Sequence, residues 1–279
     1  MARRRRKRPL AALADRYELY QAAVQNPELE VELFEQFYRE AYGRRARPLT
    51  LREDFCGTAY LCTTWAASHP RRRAVGVDRD PEPLAWGEIH NLATAGPSVL
   101  RRVRLIQDDV RTVQSEPAHI VCALNFSYCA LRRRQDLLDY FRNARAAVAA
   151  RGLFVLDVLG GTATLDVAED VRDIDGHPAI YIWEQTRFDV LSHHLEAHIH
   201  FEFLDGSKLE RAFSYDWRLW TLPELTDLLR EAGFSEVRFY NEIFEEGDDP
   251  EYLSPTGRYQ RVTEMENQES WVVYGVALP

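Results

Sequence analysis

The run Leu51-Arg52-Glu53-Asp54-Phe55-Cys56-Gly57-Thr58-Ala59, followed by Ala74-Val75-Gly76-Val77-Asp78, constrains the fold more than any other feature of this chain. The first segment reads as strand, loop and helix, with Cys-Gly-Thr at the turn. The second reads as a buried strand that ends in an acid. Asp78 follows Gly57 by about twenty residues, the spacing with which βαβ units place an acid on ribose hydroxyls. A small turn residue lets a ligand approach the backbone, and the helix that follows offers unpaired N–H groups. Gly-x-Gly-x-x-Gly and Gly-Lys-Ser/Thr are both absent, so the loop has no phosphate cradle. The pattern therefore points to a nucleoside ligand without a pyrophosphate.

Beyond this loop, strand-like runs of Val, Ile, Leu and Phe alternate with helical patterns, which predicts a parallel sheet covered by helices on both faces. Asp80 is placed to cap a helix that begins at Pro81, with Leu84, Ala85, Ile89 and Leu92 as its apolar stripe and Gly96 as its stop. Leu137, Leu138, Phe141, Ala144 and Val148 form a second stripe, ended by Gly152. Thr221 and Glu224 form a capping box ahead of Leu225, Leu228, Leu229 and Ala232. In open sheets of this type a ligand sits beyond the carboxyl ends of the strands, where Gly57, Asp78, Asp109 and Asn125 converge.

The segment Glu53 to Ala59 resembles the first motif of class I S-adenosylmethionine-dependent methyltransferases, usually Asp-x-Gly-x-Gly-x-Gly. With Cys56-Gly57-Thr58 matched, Glu53 falls on the family's acid, and Phe55 and Ala59 fall on two of its glycines. Val103 to Val110 resembles the third strand, whose terminal acid meets the adenine amino group; Asp109 is the better match and Asp108 the close alternative. His119 to Asn125 resembles the fourth strand, and Asn125-Phe126-Ser127-Tyr128 then stands where methyl donor and acceptor meet. Gly152 to Val158 resembles the fifth strand, and Leu219 to Phe234 the last helix of the branch acting on small molecules.

The resemblance implies an α/β, doubly wound, seven-stranded and mostly parallel sheet, with an N-terminal helical lid and an inserted antiparallel β-element. It implies S-adenosylmethionine as cofactor, bound by Glu53, Phe55, Cys56, Gly57, Thr58, Asp78, Arg79, Asp108, Asp109, Val110 and Asn125, with Tyr17 and Tyr20 of the N-terminal segment also on the cofactor. The reaction implied is in-line transfer of a methyl group to N or O of a small molecule. Asn125 and Tyr128, with Tyr17, Tyr20 and Trp220 around them, would orient the acceptor. Two other classes share the sheet: a methyltransferase acting on RNA or protein, and a degenerate cofactor-binding protein that serves as an interaction module.

Domain organisation follows from the same patterns: a basic tail over 1–10, a helical cap over 11–46, and the main domain over 47–279. Within the cap, Ala11 to Gln25 carries Tyr17 and Tyr20 three apart, a pairing that suits either packing or a lid over the cofactor. After Asn26-Pro27, Val31, Phe34, Tyr38 and Ala41 recur at helical spacing. Residues 176–217 break the α/β rhythm with two strand-like runs and an Asp205-Gly206 turn, the inserted β-element. There His194, His198 and His200 share one strand face, which reads as the wet side of an antiparallel sheet rather than a metal site. The acidic stretch 242–270 reads as a solvated excursion before a closing strand at Trp271.

The run Arg3-Arg4-Arg5-Arg6-Lys7-Arg8 invites a nucleic-acid partner, but the whole chain is −9 and the rest of it more acidic still, which disfavours a phosphate backbone. An apolar fraction of 46% supports a sizeable core, yet no run approaches the length of a membrane span. Four cysteines, without metal-type spacing, fit a reduced cytoplasmic interior and no metal site. The partners expected are a small-molecule acceptor and, at most, a second copy of the chain.

Overall fold

The computed structural model describes residues 8–246 and 253–279, so most of the basic tail and the centre of the acidic stretch lie outside the described residues. The chain forms two compact units, one from Met1–Gln25 with Leu165–Leu219 and the other from Asn26–Thr164 with Trp220–Pro279.

The first unit begins with a 3-10 turn (Leu10–Ala12) and helix α1 (Arg16–Val24), which Asp15 caps by accepting the N–H groups of Tyr17 and Glu18. The larger unit opens with α2 (Pro27–Tyr42), capped by Asn26 with proline at its first position. Strand β1 (Thr50–Asp54), helix α3 (Tyr60–Ala67) and strand β2 (Arg73–Asp78) form the first βαβ unit. Helix α4 (Pro81–Gly87) runs into a π turn over Glu88–Leu92, and a single turn α5 (Pro97–Leu100) precedes β3 (Val103–Gln107). The π turn rotates the expected stripe, so that Leu84 and Leu92 are buried while Ile89 faces solvent. Strand β4 (Ala118–Ala123), helix α6 (Arg134–Ala147) and β5 (Val148–Gly160) complete the parallel part.

The inserted element is larger than 176–217. It is a four-stranded antiparallel sheet of β6 (Ala168–Asp173), β7 (Ala179–Asp189), β8 (His194–Phe203) and β9 (Lys208–Arg218), in that order. β6 is exposed along its whole length and reads Ala-Glu-Asp-Val-Arg-Asp, so it carries no hydrophobic signal. On β8, Leu195, Ala197, Ile199, Phe201 and Phe203 are buried and the histidines are not. Within this unit, α1 lays Leu19 and Tyr20 against the buried sheet face formed by Ile199, Phe201 and Phe213.

After α7 (Leu222–Glu231), the chain returns to the large sheet with β10 (Glu236–Glu246), β11 (Leu253–Val262) and β12 (Trp271–Leu278). The sheet order is β11-β10-β12-β5-β4-β1-β2-β3, with β12 antiparallel to both neighbours. Eight strands replace the expected seven, because the stretch read as a solvated excursion supplies most of β10's second half and all of β11. That hairpin is an edge, with proline, glycine and charge along it, and such composition hides a strand that pairs on one side only. One face of the sheet takes α2 and α3, through Phe34, Phe37, Tyr38, Leu61 and Trp65. The other takes α6 and α7, where Phe141 and Phe234 meet Phe154 with centroids 5.7 and 5.6 Å away. Each such buried aromatic or aliphatic side chain contributes about 1.5–3 kcal/mol. No helix among the described residues is long and apolar enough to cross a membrane.

Candidate functional site

The loop between β1 and α3 holds Phe55, Gly57 and Ala59 at φ of 58°, 51° and 54°. Positive φ thus recurs at every second residue, at the three positions that the family motif fills with glycine. Side chains resist this region at roughly 1–2 kcal/mol each, so the surroundings must hold Phe55 and Ala59 there. Phe55 packs edge-on against Tyr140 at 5.4 Å, and Ala59 is fully buried. Cys56 sits over Gly76 of β2, where an added Cβ would come within 2.8 Å of its Sγ. Gly57 faces open space, since a Cβ there would meet nothing within 4 Å. Thr58 is backed by α4: its carbonyl accepts the Asn91 side-chain amide at 2.8 Å, and a Cβ on Gly87 would lie 2.1 Å from it.

Asp78 ends β2 beside this loop. Its carboxylate accepts the N–H of Gly57 at 2.8 Å and that of Asp80 at 2.9 Å. Burial raises its pKa, partly offset by these bonds. Arg79 follows and is exposed. Asp108 accepts the N–H of Asp109 at 2.7 Å, and its own N–H is donated to the Asp78 carbonyl at 3.1 Å. Asp109 is gripped by Arg111, at 2.6 Å on the closest pair, and this charge-assisted contact lowers its pKa. Val110 beside it is buried.

At the end of β4, Asn125 and Phe126 occupy the left-handed region consecutively, at φ of 54° and 55°. Asp157 of β5 explains how they stay there. Its two carboxylate oxygens accept their N–H groups at 2.8 and 2.9 Å. Burial pushes the Asp157 carboxyl up to about 7. The sequence reading passed over this residue, although an acid inside Leu153-Phe154-Val155-Leu156-Asp157-Val158-Leu159 is itself a signal. Tyr128 is fully buried, its phenol next to Cys129. Glu53 accepts the N–H of Cys62 at 3.1 Å, and burial pushes it too up to about 7.

Tyr17 and Tyr20 lie in the smaller unit, with ring centroids 5.9 and 4.8 Å from Phe213. There also His194 is bonded to Asp216, His198 to Ser214 and His200 to Glu184. Among the described residues, no group of three or more His, Cys, Asp or Glu is placed to hold a metal ion.

No family model matches this chain, and no curated sequence does. Solved structures do. An S-adenosylmethionine-dependent methyltransferase from Clostridium acetobutylicum superposes with a TM-score of 0.67 at 13% identity, over 94% of this chain and 96% of its own. The sugar N-methyltransferase KedS8 from a Streptoalloteichus species gives 0.60 at 19% identity, over 100% and 99%. CalS10, an amino pentose methyltransferase from Micromonospora echinaspora, gives 0.63 at 17% identity, over 94% and 97%. The chain has the methyltransferase fold. The match extends over nearly the full length of each structure, so it includes both the sheet and the inserted antiparallel element.

Proposed function

We propose that this protein is an S-adenosylmethionine-dependent methyltransferase acting on N or O of a small molecule. The observation that carries the reading is the β1–α3 loop: three alternating positive φ values, open space before Gly57, and the Asp78 carboxylate fastened to its backbone. A chain that had lost its cofactor would have no reason to keep Phe55 and Ala59 in a conformation that disfavours their side chains. This argues against the degenerate reading.

The residues present fit the cofactor. Asp78 offers an anionic acceptor to the ribose hydroxyls, and Asp109, or Asp108 in its place, to the adenine amino group beside Val110. Glu53 and Asp157 have no cationic partner among the described residues, and they stand where a ligand carrying sulfonium and ammonium charges would offset them. When bound, S-adenosylmethionine supplies an electrophilic methyl group. Glu53, Phe55, Cys56, Gly57 and Thr58 shape the methionine end of the pocket. Arg79 edges its nucleoside end. Asn125 and Tyr128 orient the acceptor, with Asp157 fixing the backbone of Asn125. Positioning of this kind supplies most of what a displacement at sulfonium carbon requires.

Calorimetry with S-adenosylhomocysteine tests the reading. Wild-type protein should bind it, and Asp78→Ala should weaken binding by about 1.5–3 kcal/mol, the value of charge-assisted bonds to the ribose. Asp78→Asn should fall between the two, because the amide still accepts from Gly57. Unchanged affinity in Asp78→Ala would remove the ribose assignment. Absence of binding by the wild type would remove the function.

A further inference from the structure

The sheet face under α2 carries, at the carboxyl ends of its strands, a set of acids and phenols that the cofactor reading leaves partly unused. Register and alternation put Glu53, Cys122 and Val155 on that face, then Asp157, opposite Tyr274, and beyond them Glu242, opposite Tyr259. Tyr259 and Tyr274 meet edge to face with centroids 5.2 Å apart. Glu242 accepts the Gly257 N–H at 2.7 Å, and the Tyr259 hydroxyl lies 3.4 Å from it.

Onto this row α2 lowers Glu30. Its side chain is 8% exposed and makes no hydrogen bond or ion pair among the described residues. Burial is the main cause that drives its pKa upward, and the charges of Glu53 and Asp157 add to it. Burial raises the pKa of both Tyr259 and Tyr274, and the charges of Glu30, Asp157 and Glu242 add to it in each case. Among the described residues, no Lys, Arg or His pairs with Glu30, Asp157 or Glu242. A buried acid without a cation keeps its proton, and it ionises only where a charge from outside the chain offsets its own.

What offsets it is neither a metal ion nor the cofactor alone. The acids are not grouped for metal coordination. Glu242 is on β10, four strands from β1 in the sheet order, which at about 4.8 Å per strand is roughly 19 Å. A ligand held against β1 and β2 does not reach that far with its methionine end. The remaining requirement is an organic cation that lies among these acids with its apolar part on the aromatic rings.

We propose that Glu30, Asp157, Glu242, Tyr259 and Tyr274 form the acceptor subsite, and that the acceptor is a primary or secondary amine bound as its ammonium ion. The inference rests on the methyltransferase reading above and narrows it from N or O to N. Anionic acceptors are repelled by the face, and an alcohol brings no charge to balance it. An ammonium nitrogen has no lone pair, so it must lose a proton before it can react. Glu30 takes that proton, becoming a neutral carboxylic acid and leaving the amine with its electron pair. The proton returns to water when the product departs.

The test uses full-length protein saturated with S-adenosylhomocysteine and two probes of equal shape, cyclohexylamine and cyclohexanol, titrated by calorimetry or saturation-transfer NMR. The amine should bind at least tenfold more tightly than the alcohol. Glu30→Gln and, separately, Glu242→Gln should each reduce amine affinity at least tenfold while S-adenosylhomocysteine affinity stays within twofold. Either variant suffices if the other fails to fold. Equal binding of amine and alcohol would overturn the subsite and leave the methyltransferase reading standing. So would a loss of S-adenosylhomocysteine affinity in Glu30→Gln, which would assign that carboxyl to the cofactor. Failure of the wild type to bind S-adenosylhomocysteine would overturn both.

Discussion

Phe55, Ala59 and Phe126 all hold a backbone conformation that their side chains disfavour, and each stands at the carboxyl edge of the large sheet. The cost is borne locally by the groups that fasten the loops, Asp78 for the first and Asp157 for the second. Ala59→Gly should therefore leave stability unchanged or raise it by up to about 1 kcal/mol, since glycine adopts that φ without penalty. Denaturant titration measures the difference, and a loss of more than about 1 kcal/mol would show that the Ala59 methyl does more by packing than it costs by strain. Glu53 gives a second residue-scale expectation. Its carboxyl keeps a proton up to about 7 in the folded unit, whereas the unfolded chain releases it near 4. The unfolded state then binds fewer protons between those values, so this group's contribution to stability falls as pH rises from about 4 to about 7 and is constant above. Glu53→Gln removes the effect. Its stability relative to wild type should rise by roughly 1–3 kcal/mol between pH 5 and 7.5, read from unfolding curves at the two pH values. At this scale the sequence was partly transparent. Spacing singled out Asp78 and Gly57, and the two are in direct contact in the fold. Glu30 and Asp157 were not singled out, because what sets them apart is burial without a partner, and neither burial nor partnership is written in local order.

Helix α4 shows what an element contributes beyond its own stripe. Gly87 allows it to touch the carbonyl of Thr58, and the π turn that follows brings Asn91 to the same oxygen. A methyl group at residue 87 meets backbone on both sides, so neither element yields cheaply. Gly87→Ala should push α4 away from the β1–α3 loop. It should weaken S-adenosylhomocysteine binding at least tenfold with a stability loss of about 1–3 kcal/mol. Normal affinity in a folded Gly87→Ala protein would mean that the loop holds its shape without α4. The helix was legible from Asp80, Pro81 and Leu84, but its π turn was not, and so Ile89 was assigned to a core it does not enter. The β10–β11 hairpin and β6 were missed for a related reason. Edge strands are selected for charge and for interruptions, and these are the features that mark loops. The central strands β4 and β5 carry apolar runs and were read from them, whereas β1, Thr-Leu-Arg-Glu-Asp, was read from the motif that follows it.

At the scale of the whole chain, two units share one polypeptide, and the smaller is assembled from segments far apart in sequence. Its N-terminal segment carries Leu19 and Tyr20 into the core of the antiparallel sheet and sets Tyr17 against Phe213. A protein lacking residues 1–25 should expose that face, and limited proteolysis should then cut within 165–219 at least tenfold faster than in the intact chain. Equal rates would show that the sheet stands without its helix. The alternation of strand and helix made the larger unit readable as a fold class from composition and period alone. The discontinuous unit was readable only in part, because a period of two reveals strands but does not reveal which distant helix covers them.

The discontinuity also sets an order of events during synthesis. The backbone N–H of Leu10 bonds to Asp205, 195 residues later, and Ala11 to Ser207 at a separation of 196. A ribosome adding about 5–20 residues per second takes roughly 10–40 seconds to cover that interval. Throughout it, the first helix made has no sheet to receive it, while strands β1 to β5 emerge complete with their own helices. The nascent chain therefore has its parallel strands β1 to β5 available for pairing before its oldest apolar segment finds a place, and α7 with β10 to β12 completes the larger unit only afterwards. During that interval the aromatic face of α1 is the part of the molecule most open to capture by a chaperone or by another copy.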